Sequence, residues 1–378
     1  MADIINSFPG YEYVVTRNEE GVTQAHNMYR GTDLGFGGYV YSEPGMYQNV
    51  AMLDISSMHP SSIVLLNKLG EYTQRYADLR AARVCIKHRD YEAASKLFDG
   101  KLAKYLTSDE EADALSKALK LPLNSFYGIS SATFPNPARD SRDKNNIIAL
   151  RGALFMRTLQ DEIEEHGGHI MAIRTDSCKI PNATDDIIKF VQDFAAKYGY
   201  EMEHECTYEK LCLVDKSNYI AKYDKYGVRN KGGKHAGEWS ATGAKFAAPY
   251  VFKTLFSKEQ LIFDDYCEVK EVKRPYAMYL DFNENLPDNE HNYQFIGGVG
   301  QFTPVLPGCN GGMLVKTKGE KYDGVTGTIG YRWLESETIR AMNLSEPEKI
   351  VDKSYYISLV DKAVKDISKF GDFEWFVS

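Results

Sequence analysis

Runs of apolar residues and helical spacings divide the first part of the chain into one strand and several helices. Val50–Leu53 is uniformly apolar, which predicts a buried strand that ends at Asp54. Pro60 suits the first turn of a short helix behind that strand. Two longer helices are predicted next, one over Gln74–Phe98 and one that begins at Ser108.

Capping and hairpin signals continue this alternation towards the middle of the chain. Glu111 stands three residues after Ser108, which is the spacing of a capping box. A further helix is predicted over Lys144–His166, and a hairpin follows with strands Ile170–Ile173 and Cys178–Ile180. The other predicted elements are a helix over Asp185–Gly199, strands at Glu201–Tyr208, Leu211–Val214 and Tyr219–Tyr223, a helix near Ala244–Phe256, a strand-rich region from Asp264 to Gly330, and a helix near Tyr355–Lys369.

The order of these elements predicts the fold class. Strand, helices, hairpin, helix and strand fit an α+β protein whose antiparallel sheet is backed by helices, which is the ferredoxin-like pattern. The helical pair between Gln74 and Phe126 is then interpreted as an insertion that stands off the sheet. At 378 residues the chain is long enough for two or three domains.

Composition and charge exclude some classes of function. The net charge of −8 argues against a protein that simply coats DNA, but it allows an enzyme that holds DNA in a local basic groove. No apolar run is long enough to span a membrane, and the N-terminus has no signal pattern. The six cysteines have no metal-type spacing and are predicted to be reduced thiols in a cytosolic setting.

Two aspartates are candidate metal ligands. Asp54 ends the apolar strand, and Asp176 lies at the tip of the predicted hairpin. If the two strands are neighbours, both carboxylates project to one edge of the sheet, where they can hold two Mg²⁺ ions for in-line phosphoryl transfer. Taken singly, Asp54 is better explained as a helix cap and Asp176 as a turn residue.

Basic and polar residues at helical spacing lie between the two aspartates in the sequence. Lys120, Asn124 and Tyr127 share one helical face, with Gly128 next to them, and this face suits a triphosphate and a base pair. Pro122 is expected to kink that helix. A solvated basic face is the alternative for this helix and for the preceding one. The stripe on the preceding helix consists of Arg80, Arg83 and Lys87.

Three motifs resemble those of family B DNA polymerases. They are DISSMHPS at Asp54–Ser61, KLPLNSFYG at Lys120–Gly128 and RTDS at Arg174–Ser177, in the family's order. The likeness covers about residues 30 to 225 and is strongest to phage-encoded members. It implies a polymerase right hand, with an N-terminal segment and the first part of the palm at 1–72, helical fingers at 73–128, the rest of a ferredoxin-like palm at 129–222, and an α/β thumb with a strand-rich C-terminal extension at 223–378.

The resemblance also implies a role for each matched residue. Asp54 and Asp176 are expected to be catalytic and to bind two Mg²⁺ ions, or Mn²⁺, with the Ile55 carbonyl and Glu205 as further ligands. Nucleotide-binding positions are expected at Ser57, Met58, His59, Arg83, Lys87, Lys120 and Asn124. Contacts to the primer or template are expected at Tyr127, Gly128, Thr175, Lys216 and Tyr219. The implied activity is template-directed transfer of a nucleotide from a dNTP to a primer 3′-hydroxyl, in the cytoplasm of an infected bacterium.

The chain departs from the family pattern at four places. His59 stands where the family has a tyrosine that crowds the ribose 2′-hydroxyl, and Ser217 replaces the inner lysine of a primer-gripping element. Arg174 replaces the first aspartate of the last motif. Its guanidinium favours ionised carboxylates but competes with metal ions, or it contacts a primer phosphate. Only 53 residues precede Asp54, so a proofreading exonuclease is expected on a separate polypeptide, as in split polymerases, or is expected to be missing.

The C-terminal third allows more than one interpretation. Glycine-rich runs at 297–300 and 308–312 are tight turns or phosphate contacts. A cluster of cations and aromatics suits either a DNA backbone or a solvated hairpin. Its members are Lys222, Tyr223, Lys225, Tyr226, Arg229, Lys231, Lys234, Trp239, Lys245 and Phe246.

Two other functions stay open for the whole chain. One is a non-catalytic primer–template or nucleotide-binding subunit of a split phage polymerase, and the other is a template-independent terminal transferase.

Overall fold

Two units make up the part of the chain that the computed structural model describes, which is residues 2–132, 134–136, 146–283, 286–287, 290–291, 293–319 and 321–378. The first unit runs to Lys216 and includes Ala221–Glu238, and the second consists of Ser217–Ile220 and Trp239–Ser378. Within these ranges, no helix combines the length and apolar character needed to cross a membrane.

The first unit contains helices and antiparallel strands. Its elements are α1 Ala2–Ser7, β1 Glu12–Arg17, β2 Thr23–Tyr29, β3 Thr32–Asp33, β4 Val40–Ser42, β5 Gly45–Ile55, α2 Met58–Leu65, α3 Thr73–Lys87, α4 Tyr91–Lys96, α5 Asp109–Ser131, α6 Ile147–Glu165, β6 Ala172–Arg174, β7 Ser177–Pro181, α7 Asp185–Lys197, β8 Met202–Asp215 and β9 Asn218–Val228. The first residues of β9 belong to the second unit.

The second unit is richer in strands. Its further elements are β10 Trp239–Thr242, α8 Ala244–Ala247, α9 Pro249–Phe252, β11 Glu268–Glu271, β12 Ala277–Asp281, β13 Tyr293–Gly297, β14 Val299–Val305, β15 Met313–Thr317, β16 Asp323–Gly324, β17 Arg332–Glu335, α10 Ser336–Ala341, α11 Lys353–Ser368 and α12 Phe373–Val377. The predicted mixture of helices and antiparallel sheets is confirmed, whereas the division into palm, fingers and thumb stays a prediction.

Strand β5 is the central strand of the first unit. It lies between β7 and β8 and is antiparallel to both, so Val50, Leu53 and Ile55 are buried. Within this unit the order of the strands in the sheet is β9-β8-β5-β7-β6-β4. The predicted strand is confirmed, but the observed strand starts earlier, at Gly45.

Helix α6 is buried over most of its length and joins the hydrophobic core of the first unit. A Cβ atom at Gly152 of this helix would stand 2.5 Å from Sδ of Met58. Glycine therefore lets the start of α2 pack closely against α6, because no side chain separates the two helices.

The helix predicted over Gln74–Phe98 is wrong, because the chain turns between α3 and α4. Arg89 has a left-handed backbone conformation there, with φ of 63°. The side chain of Asp90 accepts a hydrogen bond from the N–H of Ala93 and caps the new helix. Arg89 and Asp90, which were predicted to lie inside one helix, therefore lie between α3 and α4.

Helix α5 begins as predicted, with Oγ of Ser108 accepting a hydrogen bond from the N–H of Glu111 at 3.2 Å. The helix continues through Pro122 without a break. It is joined to α3 by a hydrogen bond from the hydroxyl of Tyr76 to the carbonyl of Leu123, at 2.7 Å. The two helices also share a small hydrophobic cluster, whose buried members are Ala82, Ile86, Ala94, Ala112 and Leu119.

The two strands predicted at 201–208 and 211–214 form one continuous strand, β8. The polar residues between them resembled a turn, but Lys210 pairs with Gln48 of β5 instead. Further along, Met52 lies opposite Cys206 and Leu53 lies opposite His204. One residue of β8, Glu205, is therefore extra, which defines a β-bulge beside the end of β5.

The second unit contains a sheet of order β11-β14-β17 and another of order β13-β12-β15-β16. Its core is aromatic, and Trp333 packs edge-on against Tyr355 of α11 at 5.1 Å between ring centroids. The strand-rich region and the C-terminal helix are confirmed. The helix predicted near Ala244–Phe256 is instead two short helices, α8 and α9, and a π-helical turn at Lys253–Ser257.

Candidate active site

The structure brings Asp54 and Asp176 to the same edge of the central sheet. Asp54 is near the end of β5 and lies opposite Ser177, the first residue of β7. The N–H of Ile55 donates a hydrogen bond to the carbonyl of Asp176 at 2.8 Å. The two aspartates are 122 positions apart in the chain, yet neighbouring strands place their backbones in contact.

The hairpin that carries Asp176 turns tightly. Thr175 has a φ of 57°, and its N–H donates to the carbonyl of Tyr39 at 3.0 Å. A Cβ atom at Gly38 would lie 2.4 Å from Cγ2 of Thr175. The close approach of the hairpin tip thus favours glycine at position 38, whereas a Cβ atom at Gly37 would meet nothing within 4 Å.

Negative charge is concentrated around the two aspartates. Burial, followed by the charges of Asp176 and Glu205, raises the pKa of Asp54 to about 7. Burial and the charge of Glu205 also raise the pKa of Asp176. For Asp54, burial and the neighbouring acids outweigh the opposing charge of Lys87. The bulge at Glu205 therefore places a third acid close enough to act on both aspartates.

The donor set suits a hard divalent cation. Two carboxylates and the backbone carbonyl of Ile55 offer oxygen atoms, which Mg²⁺ prefers to nitrogen or sulfur. Among the described residues, no group of three or more His, Cys, Asp or Glu side chains is arranged to hold a metal ion by itself. Mg²⁺ commonly binds through one or two carboxylates plus substrate phosphates, so these residues fit it.

The start of helix α2 adds unpaired N–H groups beside the carboxylates. Ser57 precedes the helix in a left-handed conformation, with φ of 58°. Nη1 of Arg83 donates to Oγ of Ser57 at 3.1 Å. The first N–H groups of a helix have no partner within it and attract anions. Ser57 and Met58 therefore lie where an anionic group is favoured.

One cavity of about 310 Å³ joins these groups to the predicted nucleotide-binding residues. Nε of Arg83 is buried there and has no hydrogen-bond partner among the described residues. An arrangement of acids opposite cations suits a metal–triphosphate complex. The lining residues are Asp54, Ile55, Ser56, Ser57, Met58, His59, Pro60, Arg83, Lys87, Lys120, Leu123, Asn124 and Asp176.

Glu203 is a residue of this region that the sequence did not single out. It accepts hydrogen bonds from Nζ of Lys87 at 2.9 Å and from Nδ2 of Asn230 at 3.2 Å, and it pairs with Nε2 of His88 at 3.1 Å. Although burial opposes ionisation, the hydrogen bond from Lys87 helps to lower the pKa of Glu203 to about 2. A sequence signal for it was the spacing of Glu201 and Glu203, whose carboxylates lie near Arg80 and Lys87 of α3 in the structure.

His59 stacks on Tyr127, with ring centroids 3.9 Å apart and planes within 2°. Burial lowers the pKa of His59, and its Nδ1 has no hydrogen-bond partner among the described residues. The hydroxyl of Tyr127 accepts a hydrogen bond from Nδ2 of Asn146 at 2.9 Å. A Cβ atom at Gly128 would meet nothing within 4 Å, so the backbone next to this stack is open.

Arg174 and Tyr219 do not line this cavity. Nη2 of Arg174 donates to the carbonyl of Lys216 at 2.7 Å, which ties the hairpin to the end of β8. Tyr219 is buried and belongs to the second unit. The sequence suggested that Arg174 acts on the carboxylates or contacts a primer phosphate. The structure adds a contact with the backbone of Lys216, which the sequence could not indicate.

Comparisons with known proteins find similarity in sequence and in structure. No family model matches the chain. The chain is 30% identical over 158 residues to DNA polymerase II of Escherichia coli (strain K12), a match that spans 37% of this chain and 19% of that relative. It is also similar to the family B DNA polymerase from the hyperthermophilic archaeon Pyrobaculum calidifontis, at 13% identity and a TM-score of 0.45, over 87% of this chain and 46% of that one.

Proposed function

We propose that this chain carries the nucleotidyl-transfer site of a template-directed DNA polymerase of the family B type. The observation that carries the proposal is the single cavity that Asp54 and Asp176 share with Arg83, Lys120 and Asn124. Acids at a sheet edge and cations on two helices match the two ends of a metal–nucleotide complex. The similarity to a DNA polymerase over 158 residues supports the same assignment.

Asp54 and Asp176 would hold two Mg²⁺ ions, or Mn²⁺, with the carbonyl of Ile55 as an additional ligand and Glu205 close by. When bound, such ions lower the pKa of a hydroxyl nucleophile and stabilise charge on the leaving group. The chain's own contribution is to hold the backbones that carry the two aspartates side by side, through the backbone hydrogen bond from Ile55 to Asp176. Burial of Asp54 and Asp176 also limits competition by water.

The triphosphate of a dNTP would lie against the start of α2, where Ser57 and Met58 present N–H groups. Arg83 and Lys87 on α3, together with Lys120 on α5, supply positive charge to the same cavity. Nζ of Lys87 donates a hydrogen bond to Glu203 at 2.9 Å. Phosphate oxygens would compete with that carboxylate for the lysine, because both are strong acceptors of charge-assisted hydrogen bonds.

The sugar and the terminal base pair would lie near the stacked rings of His59 and Tyr127. Gly128 leaves room for a base pair to approach the backbone. Thr175, Lys216 and Tyr219 are proposed to contact primer or template. The exposed residues of the predicted cluster that lie in the first unit are proposed to hold the duplex, as a thumb would; they are Lys225, Tyr226, Arg229, Lys231 and Lys234.

Primer extension with purified protein tests this function. We expect Mg²⁺-dependent extension of a labelled primer on a template, and a loss of about 1,000-fold or more for Asp54→Ala and for Asp176→Ala, since each removes several kcal/mol of transition-state stabilisation. Asp185→Ala, at an exposed helix start, serves as the matched control. Extension that survives both substitutions would contradict the site, and extension without template would indicate a terminal transferase.

A non-catalytic primer–template or nucleotide-binding subunit is the second candidate, and Arg174 favours it. This residue stands in place of a carboxylate of the resembled motif, and its side chain is engaged by the carbonyl of Lys216. In that case the protein would bind primer–template or dNTP but would not extend the primer. An Arg174→Asp variant that is far more active than the parent would show that the native site is attenuated.

A further inference from the structure

The second unit contains a cavity of about 670 Å³ that shares no residue with the candidate active site. Its lining comes from β12, β13 and β15 and from the segment between 321 and 331. Volumes of this order are typical of sites for small organic ligands. No role in the proposed nucleotidyl transfer has been given to these residues.

One wall of this cavity is aromatic and flat. Tyr293 and Tyr322, which both line it, stack with ring centroids 3.7 Å apart and planes within 5°. The ring of Tyr279 meets each of them edge-on, at 6.4 Å and 5.4 Å, and holds the pair in place. Tyr331 is a third lining ring. Flat, fixed rings favour a planar aromatic ligand, because stacking needs no further ordering of the wall.

The polar groups of the cavity have two different roles. The carboxylate of Asp281 pairs with Nδ1 of His291 at 3.0 Å, and both side chains are almost fully buried. Nε2 of His291 bonds to the carbonyl of Leu286 at 2.6 Å. Because groups of the protein already make hydrogen bonds to Asp281 and His291, these two residues form part of the cavity wall. Among the described residues, the hydroxyls of Tyr322 and Tyr331 have no hydrogen-bond partner, so they remain for a ligand.

The rim of the cavity carries a cation. The side chain of Lys321 is 87% exposed, and its Nζ lies 3.6 Å from the carboxylate of Asp323, which is itself exposed. Exposed pairs of this kind are weak, so the lysine can exchange that partner for a phosphate. A stacking wall beside a mobile cation is the combination that binds single-stranded nucleic acid.

We propose that this cavity binds an unpaired nucleobase together with its phosphate, as single-stranded DNA presents them. The base stacks on the outer face of the stacked pair of Tyr293 and Tyr322, and the phosphate meets Lys321. The inference goes beyond the proposed polymerase chemistry, because this binding requires neither Mg²⁺ nor the two aspartates. It can therefore succeed or fail independently of primer extension.

Photocrosslinking on the unaltered full chain tests the location. A thymidine dodecamer that contains 5-iodouracil is bound in EDTA and irradiated, and the tryptic peptides are mapped by mass spectrometry. We expect a crosslink on the peptide of residues 322–332, which follows Lys321 and contains both Tyr322 and Tyr331. Crosslinks that map only outside residues 277–332 would overturn the proposal.

Fluorescence anisotropy with a labelled thymidine dodecamer in EDTA tests the chemistry. We expect Tyr322→Leu to bind about tenfold more weakly, since one base–aromatic stack is lost. Trp375→Leu removes an exposed ring outside the cavity and is the control. Lys321→Ala, at a fully exposed position, should weaken binding in a salt-dependent way, whereas Lys349→Ala, which is also exposed and paired with an acid, should not. Equal effects of variant and control would contradict the inference.

Two further probes separate the source of the ligand. An abasic dodecamer keeps the phosphates and should bind clearly more weakly than the thymidine strand; equal binding would rule out base stacking. Unlabelled strand and thymidine monophosphate are then compared as competitors of the labelled strand. If the unlabelled strand competes at lower concentration, the strand is the ligand; if both compete at the same concentration, the free nucleotide is the ligand. If neither competes for the crosslink at residues 322–332, the assignment fails.

Discussion

His59 combines two properties that decide what it can do beneath a nucleotide. Its ring is stacked on Tyr127 and is therefore fixed in orientation. Its pKa is lowered by burial, which favours the neutral imidazole. A flat neutral ring at this position can restrict the space next to the sugar, although a histidine fills less of it than a tyrosine.

We expect His59→Gly to raise incorporation of ribonucleotides relative to deoxyribonucleotides. Removing the ring opens the space that a 2′-hydroxyl would occupy, and the gain should be about tenfold or more, since a steric clash of 1–3 kcal/mol is relieved. The measurement is the ratio of kcat/KM for a ribonucleoside and the matching deoxyribonucleoside triphosphate. Unchanged sugar selection would remove the assignment of His59.

Burial and two neighbouring acids, Asp176 and Glu205, disfavour the ionised form of Asp54. In the absence of metal we expect Asp54→Asn to raise the thermal midpoint of the protein by a few degrees, of the order that about 1 kcal/mol gives. Excess Mg²⁺ with dNTP should stabilise the parent more than the variant, because only the parent keeps both carboxylates. Asp185→Asn is the control, and a midpoint that falls in EDTA would contradict this account of the site.

Helix α3 is attached to strand β8 through Glu203, which engages Lys87, His88 and Asn230. We expect Glu203→Gln to lower the free energy of unfolding by about 2 kcal/mol, since the largely buried acid loses its charge-assisted hydrogen bond with Lys87. Glu201→Gln removes an exposed acid that lies 4.0 Å from Arg80 and should cost less than about 0.5 kcal/mol. Denaturant unfolding measures both values, and equal values would contradict a special role for Glu203.

The hairpin of β6 and β7 is pressed against the segment before β4. We expect Gly38→Ala to lower stability by about 1–3 kcal/mol and to reduce primer extension, because its Cβ would displace Thr175 and thereby Asp176. Gly37→Ala is a close control, since a Cβ there meets nothing within 4 Å. A Gly38→Ala protein with the stability and activity of the control would show that the tip tolerates displacement.

Most of the elements around the candidate site could be predicted, because local signals define them. The apolar run before Asp54, the capping pair of Ser108 and Glu111, and the turn before Asp176 all act over a few residues. The contact of Lys87 with Glu203 could not be predicted in the same way, because it depends on how α3 packs on β8. The break at Arg89 was missed because apolar spacing continues across it, and the bulge at Glu205 because only the partner strand reveals it.

At the scale of the whole molecule, local charge matters more than the net charge of −8. Three cations, Arg83, Lys87 and Lys120, line the cavity of the candidate active site, and Lys321 lies at the rim of the second cavity. An acidic protein of this kind should bind nucleic acid where basic residues are locally concentrated. Its affinity should consequently depend steeply on salt at those places.

The assignment of Ser217–Ile220 to the second unit has a practical consequence for dissecting the protein. The chain passes from one unit to the other after Lys216, returns after Ile220, and leaves again after Glu238. Cleavage after Glu238 would leave the first residues of β9 on the wrong fragment, so neither product would be whole. Functions assigned to each part are therefore better separated by point substitutions in the intact polypeptide than by truncation.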